Sequence, residues 1–284
     1  MAKISKAIIP VAGLGTRMLP ATKAIPKELL PVLNKPIIQW VVEEAIDAGI
    51  TEIIFITRSG KEAIENHFDK NFELEKRLEQ SGKKKILKSI KNLIPGNVKI
   101  SSVRQENSDG LGKAILSADH LIDDDFFVVL LPDELLVKKN QEADLNRMIT
   151  NFRKSFEGQV LVQKVPKSEV SSYGIVNLNN SKIDISKPKK IFSLQEKPSS
   201  KKSLSNLRVV GRYILPKKTM QYLKKCKPDI SGEYQLTEAL NNMSATEKNL
   251  NAVLSDSHIF DCGSLRGFLN ANIHLAKKEN LFKL

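Results

Sequence analysis

The sequence AGLGTRMLPATKAIPKELLP, residues Ala12 to Pro31, directly follows a short apolar run, Ala7 to Val11, that predicts a buried first strand. The segment carries two glycines one residue apart, and three cationic side chains follow them: Arg17, Lys23 and Lys27. Glycines let backbone N–H groups approach phosphate oxygens closely, and cations neutralise their charge. The segment is therefore predicted to wrap a polyphosphate at the end of the first strand.

This glycine-rich segment differs from the two best known phosphate-binding loops. A dinucleotide-binding fingerprint needs a third glycine where Met18 stands, and a helix that Pro20 and Pro26 would interrupt. The G-x-x-x-x-G-K-[ST] pattern of a P-loop is also absent from the sequence. Two glycines alone would favour an exposed turn. The cations and prolines that follow them favour a phosphate site of another kind.

The composition is typical of a soluble globular protein. The chain has 284 residues, 41% of them hydrophobic and 27% charged, enough for one large domain or two small ones. No apolar run approaches the roughly 18 residues of a membrane span, and the N-terminus leads into a strand without a signal-peptide core. The two cysteines, Cys226 and Cys262, form no C-x-x-C pair. We therefore expect a cytoplasmic protein with no membrane partner.

The net charge of +13, from 45 basic and 32 acidic residues, raises nucleic-acid binding as an alternative. The cations are mostly scattered lysines, however, and aromatic residues make up only 6% of the chain. Nucleic-acid readers usually interleave arginine with aromatic side chains. A solvated lysine-rich face is favoured, and its field would attract anionic small molecules. We expect no nucleic-acid partner.

Short apolar runs alternate with amphipathic helices in the first half of the chain. Strands are predicted at Ala7–Val11, Glu52–Thr57, Val98–Val103 and Phe126–Leu131, and helices at Pro36–Ala48 and Leu111–Leu121. Strands separated by helices predict right-handed crossovers and a mainly parallel sheet, with ligands at the carboxyl ends of its strands. The glycine-rich segment, Gln105 and Asp133 all fall at such ends.

The second half is richer in strands. Strands are predicted at Gln159–Val165, Gly174–Leu178, Lys190–Glu196 and Arg208–Leu215, and helices follow at Pro216–Lys225, Tyr234–Met243 and Leu265–Lys278. No Gly/Ser-rich linker separates the two halves. We therefore expect one continuous mixed sheet in a single domain.

A family resemblance emerges from the order of several short motifs. The run G-x-G-T-R, then L-P and P-K-E-L-L-P, resembles the signature of the sugar-1-phosphate nucleotidyltransferases, and the inserted ATK resembles the bacterial UTP:glucose-1-phosphate uridylyltransferases among them. Further pieces that resemble the family are RQENSDGLGKA, LPDE, YGIV, EKP, VGRYIL, GEYQLTEAL and FDCGS, in that order. The resemblance covers nearly the whole chain.

The resemblance implies a Rossmann-like α/β/α fold of three layers around a central mixed, mainly parallel sheet, the nucleotide-diphospho-sugar transferase fold. It implies a nucleotide-binding half of about residues 1–135, a sugar-binding half of about 136–264 and a C-terminal helix of about 265–284. The implied reaction forms UDP-glucose and pyrophosphate from UTP and glucose-1-phosphate, in a homodimer or homotetramer. The alternatives are a dTTP- or CTP-dependent enzyme and a noncatalytic regulatory relative that binds the sugar nucleotide.

The implied reaction joins two polyanions. A phosphate monoester has a second pKa of about 6, so the attacking sugar phosphate is already anionic and needs charge screening more than a general base. By the resemblance, Lys27 contacts the reacting phosphates, and Arg17 holds the β- and γ-phosphates with a planar fork that a lysine lacks. Exposed side chains without a ligand are the alternative.

Two aspartates are candidate ligands for Mg²⁺. Asp133 ends the apolar run FFVVLLP, and a carboxylate at the carboxyl end of a strand suits a magnesium ion that also binds substrate phosphates. Asp261, in FDCGS, resembles the second acidic metal position of related nucleotidyltransferases. An aspartate in a turn or a helix cap is the alternative for both. Glu134 has no assigned role.

The hexose is expected to bind in the second half. The resemblance implies that Glu196 accepts hydrogen bonds from sugar hydroxyls and that Lys197 binds the sugar phosphate, whereas an exposed ion pair is the alternative. Gly174 and Gly211 would let the backbone approach the hexose, or they mark a turn and a strand irregularity. For Glu233, contact with the sugar and a plain helix start are equally open.

Base selection is assigned to Gln105 and to the backbone of Ala12 and Gly13, with Gly15 completing the nucleotide loop and Gly110 leaving room for the base or ribose. A glutamine amide offers a donor and an acceptor together, which matches the adjacent carbonyl and N–H of uracil. Thymine has the same edge. Discrimination against its methyl group must then come from the shape of the pocket, worth roughly 1–3 kcal/mol.

Overall fold

The structure, a computed structural model, describes residues 3–107, 109–140, 142–179 and 181–281. The strands are β1 (Lys6–Pro10), β2 (Pro31–Val32), β3 (Lys35–Pro36), β4 (Glu52–Thr57), β5 (Lys99–Arg104), β6 (Phe126–Leu130), β7 (Glu134–Lys138), β8 (Gly158–Lys164), β9 (Ile175–Asn177), β10 (Lys189–Lys190), β11 (Ser193–Gln195), β12 (Leu207–Pro216), β13 (Leu250–Leu254) and β14 (Ser257–Asp261). The helices are α1 (Ile37–Asp47), α2 (Glu62–Phe68), α3 (Phe72–Gln80), α4 (Lys84–Lys91), α5 (Leu111–Ser117), α6 (Asp144–Ser155), α7 (Thr219–Lys225), α8 (Leu236–Glu247) and α9 (Leu265–Lys278). Within these described ranges, none of the helices is long and apolar enough to cross a bilayer.

A ten-stranded mixed sheet runs through both halves of the chain. Its main path has the order β10-β13-β8-β12-β6-β1-β4-β5, and β9 and β11 attach beside β12. Strands β6, β1, β4 and β5 run parallel, as the first-half pattern predicted, and β13 runs parallel to β8. Strand β12 lies antiparallel between β6 and β8. The predicted three-layer fold with a mixed, mainly parallel sheet is confirmed.

Helices cover both faces of the sheet. Side chains alternate along β1, so Ala7 and Ile9 pack in one layer with residues of α1 and α6, while Ile8 packs in the other with residues of α5, α7 and α8. All three side chains are fully buried. Burial of an aliphatic side chain of the size of isoleucine contributes roughly 1.5–3 kcal/mol to folding. The alternation therefore fixes which face of the sheet each helix covers.

A second, two-stranded sheet lies beside the amino-terminal loop. Strand β14 pairs antiparallel with β7, which places Asp261 opposite Glu134. Its apolar side chains pack with α9 and with Met18 of the glycine-rich segment in one cluster. Through this cluster, the small sheet links α9 to the glycine-rich segment.

The predicted helix Leu265–Lys278 is confirmed with the same bounds. One predicted strand, in contrast, needs correction. The segment Lys190–Glu196 is not one strand but parts of two, β10 and β11. Strand β10 pairs with β13 and β11 pairs with β9, so the chain leaves one partner for another between them.

Three predicted helices begin or end at least two residues from their predicted bounds. The helix predicted over Tyr234–Met243 spans Leu236–Glu247. The helix predicted over Leu111–Leu121 ends at Ser117, and a separate 3-10 turn follows. The helix predicted from Pro216 begins at Thr219, because Pro216 still pairs with Phe126 as the last residue of β12.

Candidate active site

A cleft of about 550 Å³ opens at the carboxyl ends of β1, β5 and β6. Its lining includes most of the residues predicted for the nucleotide and its phosphates: Ala12, Gly13, Gly15, Arg17, Lys27, Gln105, Gly110 and Asp133. They come from segments up to 121 positions apart, Ala12 to Asp133, and meet because the carboxyl ends of parallel strands lie at one edge of a sheet. Their individual roles stay predictions.

The glycine-rich segment folds back on Lys27. Gly15 has a left-handed backbone with φ +70°, and the Thr22 hydroxyl donates to its carbonyl oxygen at 2.8 Å. A Cβ on Gly15 would lie 3.2 Å from the Cβ of Lys27. Three short 3-10 turns follow before α1, instead of the immediate helix that the prolines argued against. The left-handed backbone therefore favours glycine at this position, and a larger residue would also crowd Lys27.

Two cations and two carboxylates meet at the mouth of this cleft. The Lys27 ammonium lies 2.6 Å from Asp133 Oδ2, and Arg17 Nη2 lies 3.7 Å from the same oxygen. Arg17 Nη1 lies 3.0 Å from Asp261 Oδ2, so the guanidinium joins the two carboxylates. Arg17 is 59% exposed and Lys27 only 16%, and the exposed guanidinium can turn toward a ligand more readily.

Burial alone would discharge both members of the pair between Lys27 and Asp133. Their mutual attraction outweighs it: Asp133 keeps the pKa of the Lys27 ammonium above its ordinary value. Lys27, assisted by Arg17, likewise holds the pKa of the Asp133 carboxyl below its usual value. Both groups therefore stay charged at neutral pH, one able to bind phosphate and the other a cation.

Pairing of the small sheet brings Asp261 to this cluster. Asp261 ends β14 and lies opposite Glu134, next to Asp133. The Cys262 N–H also donates to the Asp133 carbonyl oxygen at 2.7 Å. Neither β7 nor β14 was predicted, although Asp261 itself was.

The two aspartates make a donor set that fits a magnesium ion. A Cβ on Gly263 would lie 2.6 Å from Arg17 Nη2, 2.9 Å from Asp133 Oδ2 and 3.1 Å from Asp261 Oδ1, so the bare glycine leaves room for the guanidinium beside both carboxylates. Arg17 supplies positive charge at this place. Among the described residues, no group of three or more His, Cys, Asp or Glu side chains could hold a metal ion by itself. Magnesium commonly takes one or two carboxylates and completes its shell with substrate phosphates and water.

A second cavity, of about 170 Å³, adjoins the first and shares Leu111 and Leu131 with it. All four residues predicted for the hexose and its phosphate line it: Gly174, Glu196, Lys197 and Gly211. Lys197 has a positive φ of +41°, which is uncommon for a residue other than glycine, and its N–H donates to the Tyr173 carbonyl at 3.1 Å. Such strained residues cluster at ligand sites, where the surrounding structure holds them.

Two of the predicted glycines face protein atoms rather than open space. A Cβ on Gly211 would lie 2.5 Å from the Cβ of Leu131, in the wall between the two cavities. Gly110 has φ +89°, and a Cβ there would lie 2.9 Å from the backbone nitrogen of Tyr234. Packing is therefore sufficient to require glycine at both positions, whether or not a ligand approaches them.

The role of Glu134 was missed by the sequence reasoning. Glu134 Oε2 accepts a hydrogen bond from the Gly211 N–H at 2.7 Å, and Arg208 Nη1 donates to Oε1 at 2.5 Å. The Arg208 guanidinium lies over the ring of Tyr173, 4.5 Å from its centre. This buried network supports the wall of the second cavity. The sequence offered one indication of this network: Glu134 and Arg208 each stand within an otherwise apolar run.

Glu28 is a further acidic residue of the first cleft. Lys61 donates to its Oε2 at 2.7 Å, while Oε1 is buried without a hydrogen-bond partner among the described residues. Burial raises the pKa of the Glu28 carboxyl despite this lysine. Glu233 also lines the first cleft, whereas Gln235 and Thr237 line the second. Glu233 therefore lies at the first cleft and not among the lining residues of the second.

The nucleotidyl transferase family profile matches residues 6–278 of this chain. A curated relative, the UTP–glucose-1-phosphate uridylyltransferase of Haemophilus influenzae, is 44% identical over 269 residues, which are 94% of this chain and 91% of the relative. The chain therefore belongs to the nucleotidyl transferase family.

Two solved structures are similar to this chain over nearly its whole length. A UTP-bound UGPase from Acinetobacter baumannii superposes with a TM-score of 0.90 at 42% identity, over 97% of this chain and 94% of that one. A UDP-glucose pyrophosphorylase complexed with UDP-glucose superposes with a TM-score of 0.87 at 36% identity, over 97% of this chain and all of the other, 100%. The predicted resemblance to the bacterial uridylyltransferases is confirmed.

Proposed function

We propose that this chain is a UTP:glucose-1-phosphate uridylyltransferase, which forms UDP-glucose and pyrophosphate. The observation that carries the proposal is the junction of two cavities at Leu131, two residues before Asp133. One cavity holds the cations and carboxylates that suit a nucleoside triphosphate, and the other holds the acceptor and cation that suit a sugar phosphate. Relatives whose names give this activity match nearly the whole chain, at 40–44% identity for the curated enzymes of Haemophilus influenzae and Escherichia coli.

In the reaction, an oxygen of the sugar phosphate attacks the α-phosphorus of UTP. The bond between that phosphorus and the oxygen bridging to the β-phosphorus breaks, and pyrophosphate leaves with the bridging oxygen. The nucleophile is anionic near neutral pH, so no residue needs to remove a proton from it. Lys27 screens the repulsion at the reacting phosphates, Arg17 holds the departing pair, and Lys197 holds the sugar phosphate.

Asp133 and Asp261 would hold the magnesium ion, as the meeting of the two carboxylates at the exposed Arg17 supports. Family members generally use a divalent cation. When bound there, Mg²⁺ would supply positive charge that offsets the negative charge of the departing pyrophosphate. The carboxylates of Asp133 and Asp261 would fix the position of the metal ion. Lys27, whose ammonium lies 2.6 Å from Asp133, keeps the Asp133 carboxylate ionised.

UTP is proposed over dTTP and CTP because Gln105 lines the nucleotide cleft and the ATK insertion is present. The backbone of Ala12 and Gly13 lies in the same cleft and would complete the contact with the base. An enzyme that uses thymidine nucleotides is the rival, since thymine presents the same edge to a glutamine amide.

We further propose that the enzyme acts in the cytoplasm as a homodimer or homotetramer. An exposed apolar stripe on α9 supports association: Leu265, Leu269 and Ile273 are 63%, 50% and 44% exposed. Light scattering after size-exclusion chromatography tests this.

The deciding experiment measures pyrophosphate release from glucose-1-phosphate with UTP, dTTP or CTP, each with and without Mg²⁺. We expect turnover to be fastest with UTP and to need the metal. Faster turnover with dTTP would instead identify the thymidylyl enzyme. Binding of UDP-glucose without any turnover would identify a regulatory relative.

A further inference from the structure

The Glu196 carboxylate in the sugar cavity is held from one side by a hydroxyl. The Thr237 hydroxyl donates to Glu196 Oε2 at 2.7 Å, within the range of a charge-assisted O–H···O⁻ bond. The other oxygen, Oε1, lies 3.6 Å from Lys197 Nζ, too far for a hydrogen bond. The lysine therefore makes only a long ion pair with this carboxylate, and the hydrogen bond from Thr237 is the closer contact.

The hydroxyl is carried by a rigid element. Thr237 lies in the first turn of α8, and its neighbours Leu236, Ala239 and Leu240 are at least 98% buried in the core. Gly174 closes the other side: a Cβ there would lie 3.3 Å from Thr237 Oγ1 and 3.4 Å from Glu196 Oε2. Donor, acceptor and glycine thus form one packed group in the wall of the sugar cavity.

We infer that Thr237 is a positioning residue for sugar recognition: it limits Glu196 and Lys197 to a long ion pair and keeps the carboxylate ready to accept hydrogen bonds from the hexose. The inference rests on the proposed function, which places the sugar phosphate in this cavity. Without the hydroxyl, Glu196 is free to close further on Lys197 and to tighten the 3.6 Å ion pair into a hydrogen-bonded one. That pair would occupy both the acceptor for the sugar hydroxyls and the cation for the sugar phosphate. Pre-orientation removes this competition before the substrate arrives.

The test replaces Thr237 with valine, which keeps the branched shape and removes the donor. We expect the KM for glucose-1-phosphate to rise about tenfold, the usual effect of losing one hydrogen bond to a charged group. The KM for UTP should stay unchanged, because Thr237 does not line the nucleotide cleft. Preference for glucose-1-phosphate over galactose-1-phosphate should fall, since a carboxylate closed on Lys197 no longer distinguishes the two hydroxyl configurations. The conservative variant Thr237→Ser should restore the KM.

A double-mutant cycle separates positioning from a general effect on the helix. In a Glu196→Gln background, Thr237→Val should add little to the rise in KM, because its acceptor has already been altered. Thr246→Val, on the last turn of the same helix, is the matched control and should leave the KM for glucose-1-phosphate unchanged.

Two results would overturn the inference: an unchanged KM for glucose-1-phosphate in Thr237→Val, or an equal rise in the KM values of both substrates. Wild-type protein without turnover of glucose-1-phosphate would instead refute the proposed function itself.

Discussion

At the scale of single residues, the pair between Lys27 and Asp133 is the centre of the site. Both side chains are largely covered, at 16% and 21% exposure, and the ammonium contacts the carboxylate that we propose as a metal ligand. We predict that Lys27→Met lowers kcat by on the order of 100-fold, because preorganised charge at the reacting phosphates is lost. Steady-state pyrophosphate release measures this change.

The control for this variant is Lys23→Met, which removes an exposed lysine from the same segment. Its kcat should stay within twofold of the wild type. Full turnover by Lys27→Met would contradict the screening role assigned to the ammonium.

The pair between Lys27 and Asp133 stays charged over the neutral pH range, so the pH dependence of the rate should come from the substrate. The raised pKa of Lys27 keeps its stabilising charge fully present below the unfolded value of about 10.4, and that charge is lost only as the pH rises through the folded pKa. The lowered pKa of Asp133 keeps its contribution present above about 3.9 and loses it only as the pH falls through the folded value. We therefore predict that kcat/KM for glucose-1-phosphate rises through about pH 6, with the second ionisation of the sugar phosphate, and is flat to pH 9. A fall in kcat/KM between pH 7 and 9 would instead show that Lys27 loses its proton in that range.

At the scale of elements, β12 decides how the two cavities meet. Gly211 lies in this strand where its register against β8 shifts, and a Cβ there would lie 2.5 Å from Leu131 of the shared wall. We predict that Gly211→Ala displaces Leu131, lowers the free energy of unfolding by roughly 1–3 kcal/mol and raises the KM of both substrates. Urea unfolding and steady-state kinetics measure the two effects.

Gly96→Ala is the matched control for this variant, because no heavy atom lies within 4 Å of a Cβ at Gly96 and its φ is not positive. That substitution should change neither stability nor KM appreciably. If Gly211→Ala behaved in the same way, the wall between the cavities would not depend on close packing at β12.

The parallel strands and the helices that connect them could be predicted because each has its own periodic signal. Helix α6 carried such a signal too, with Leu145, Met148, Ile149 and Phe152 all buried, but its polar residues concealed it. Strands β7 and β14 could not be found in this way. Their five-residue runs pair across more than a hundred residues, and it is this pairing that brings Asp261 to Asp133. The residues of the site were thus predictable from motifs, whereas the contacts between them depend on long-range pairing.

At the scale of the whole molecule, one buried arginine joins the layers to the site. Arg212, in β12, is fully buried and donates to the Glu44 carboxylate of α1 at 2.8 Å. It also donates to the carbonyl oxygens of Leu131 at 3.1 Å and Glu134 at 2.8 Å, on either side of Asp133. A helix, the central sheet and the turn that carries Asp133 therefore share one side chain.

We predict that Arg212→Met lowers the free energy of unfolding by about 3–5 kcal/mol, because it leaves Glu44 largely buried and without its partner charge. Adding Glu44→Gln to Arg212→Met should recover part of this loss, since a neutral amide is less costly to bury than an unpaired carboxylate. Arg153→Met, at an exposed position of α6, is the control and should change stability by less than about 0.5 kcal/mol. Urea unfolding of the four proteins decides the matter. If the double variant were no more stable than Arg212→Met alone, the arginine would stabilise the protein through the turn at Asp133 rather than by neutralising Glu44. Its loss should then also lower kcat.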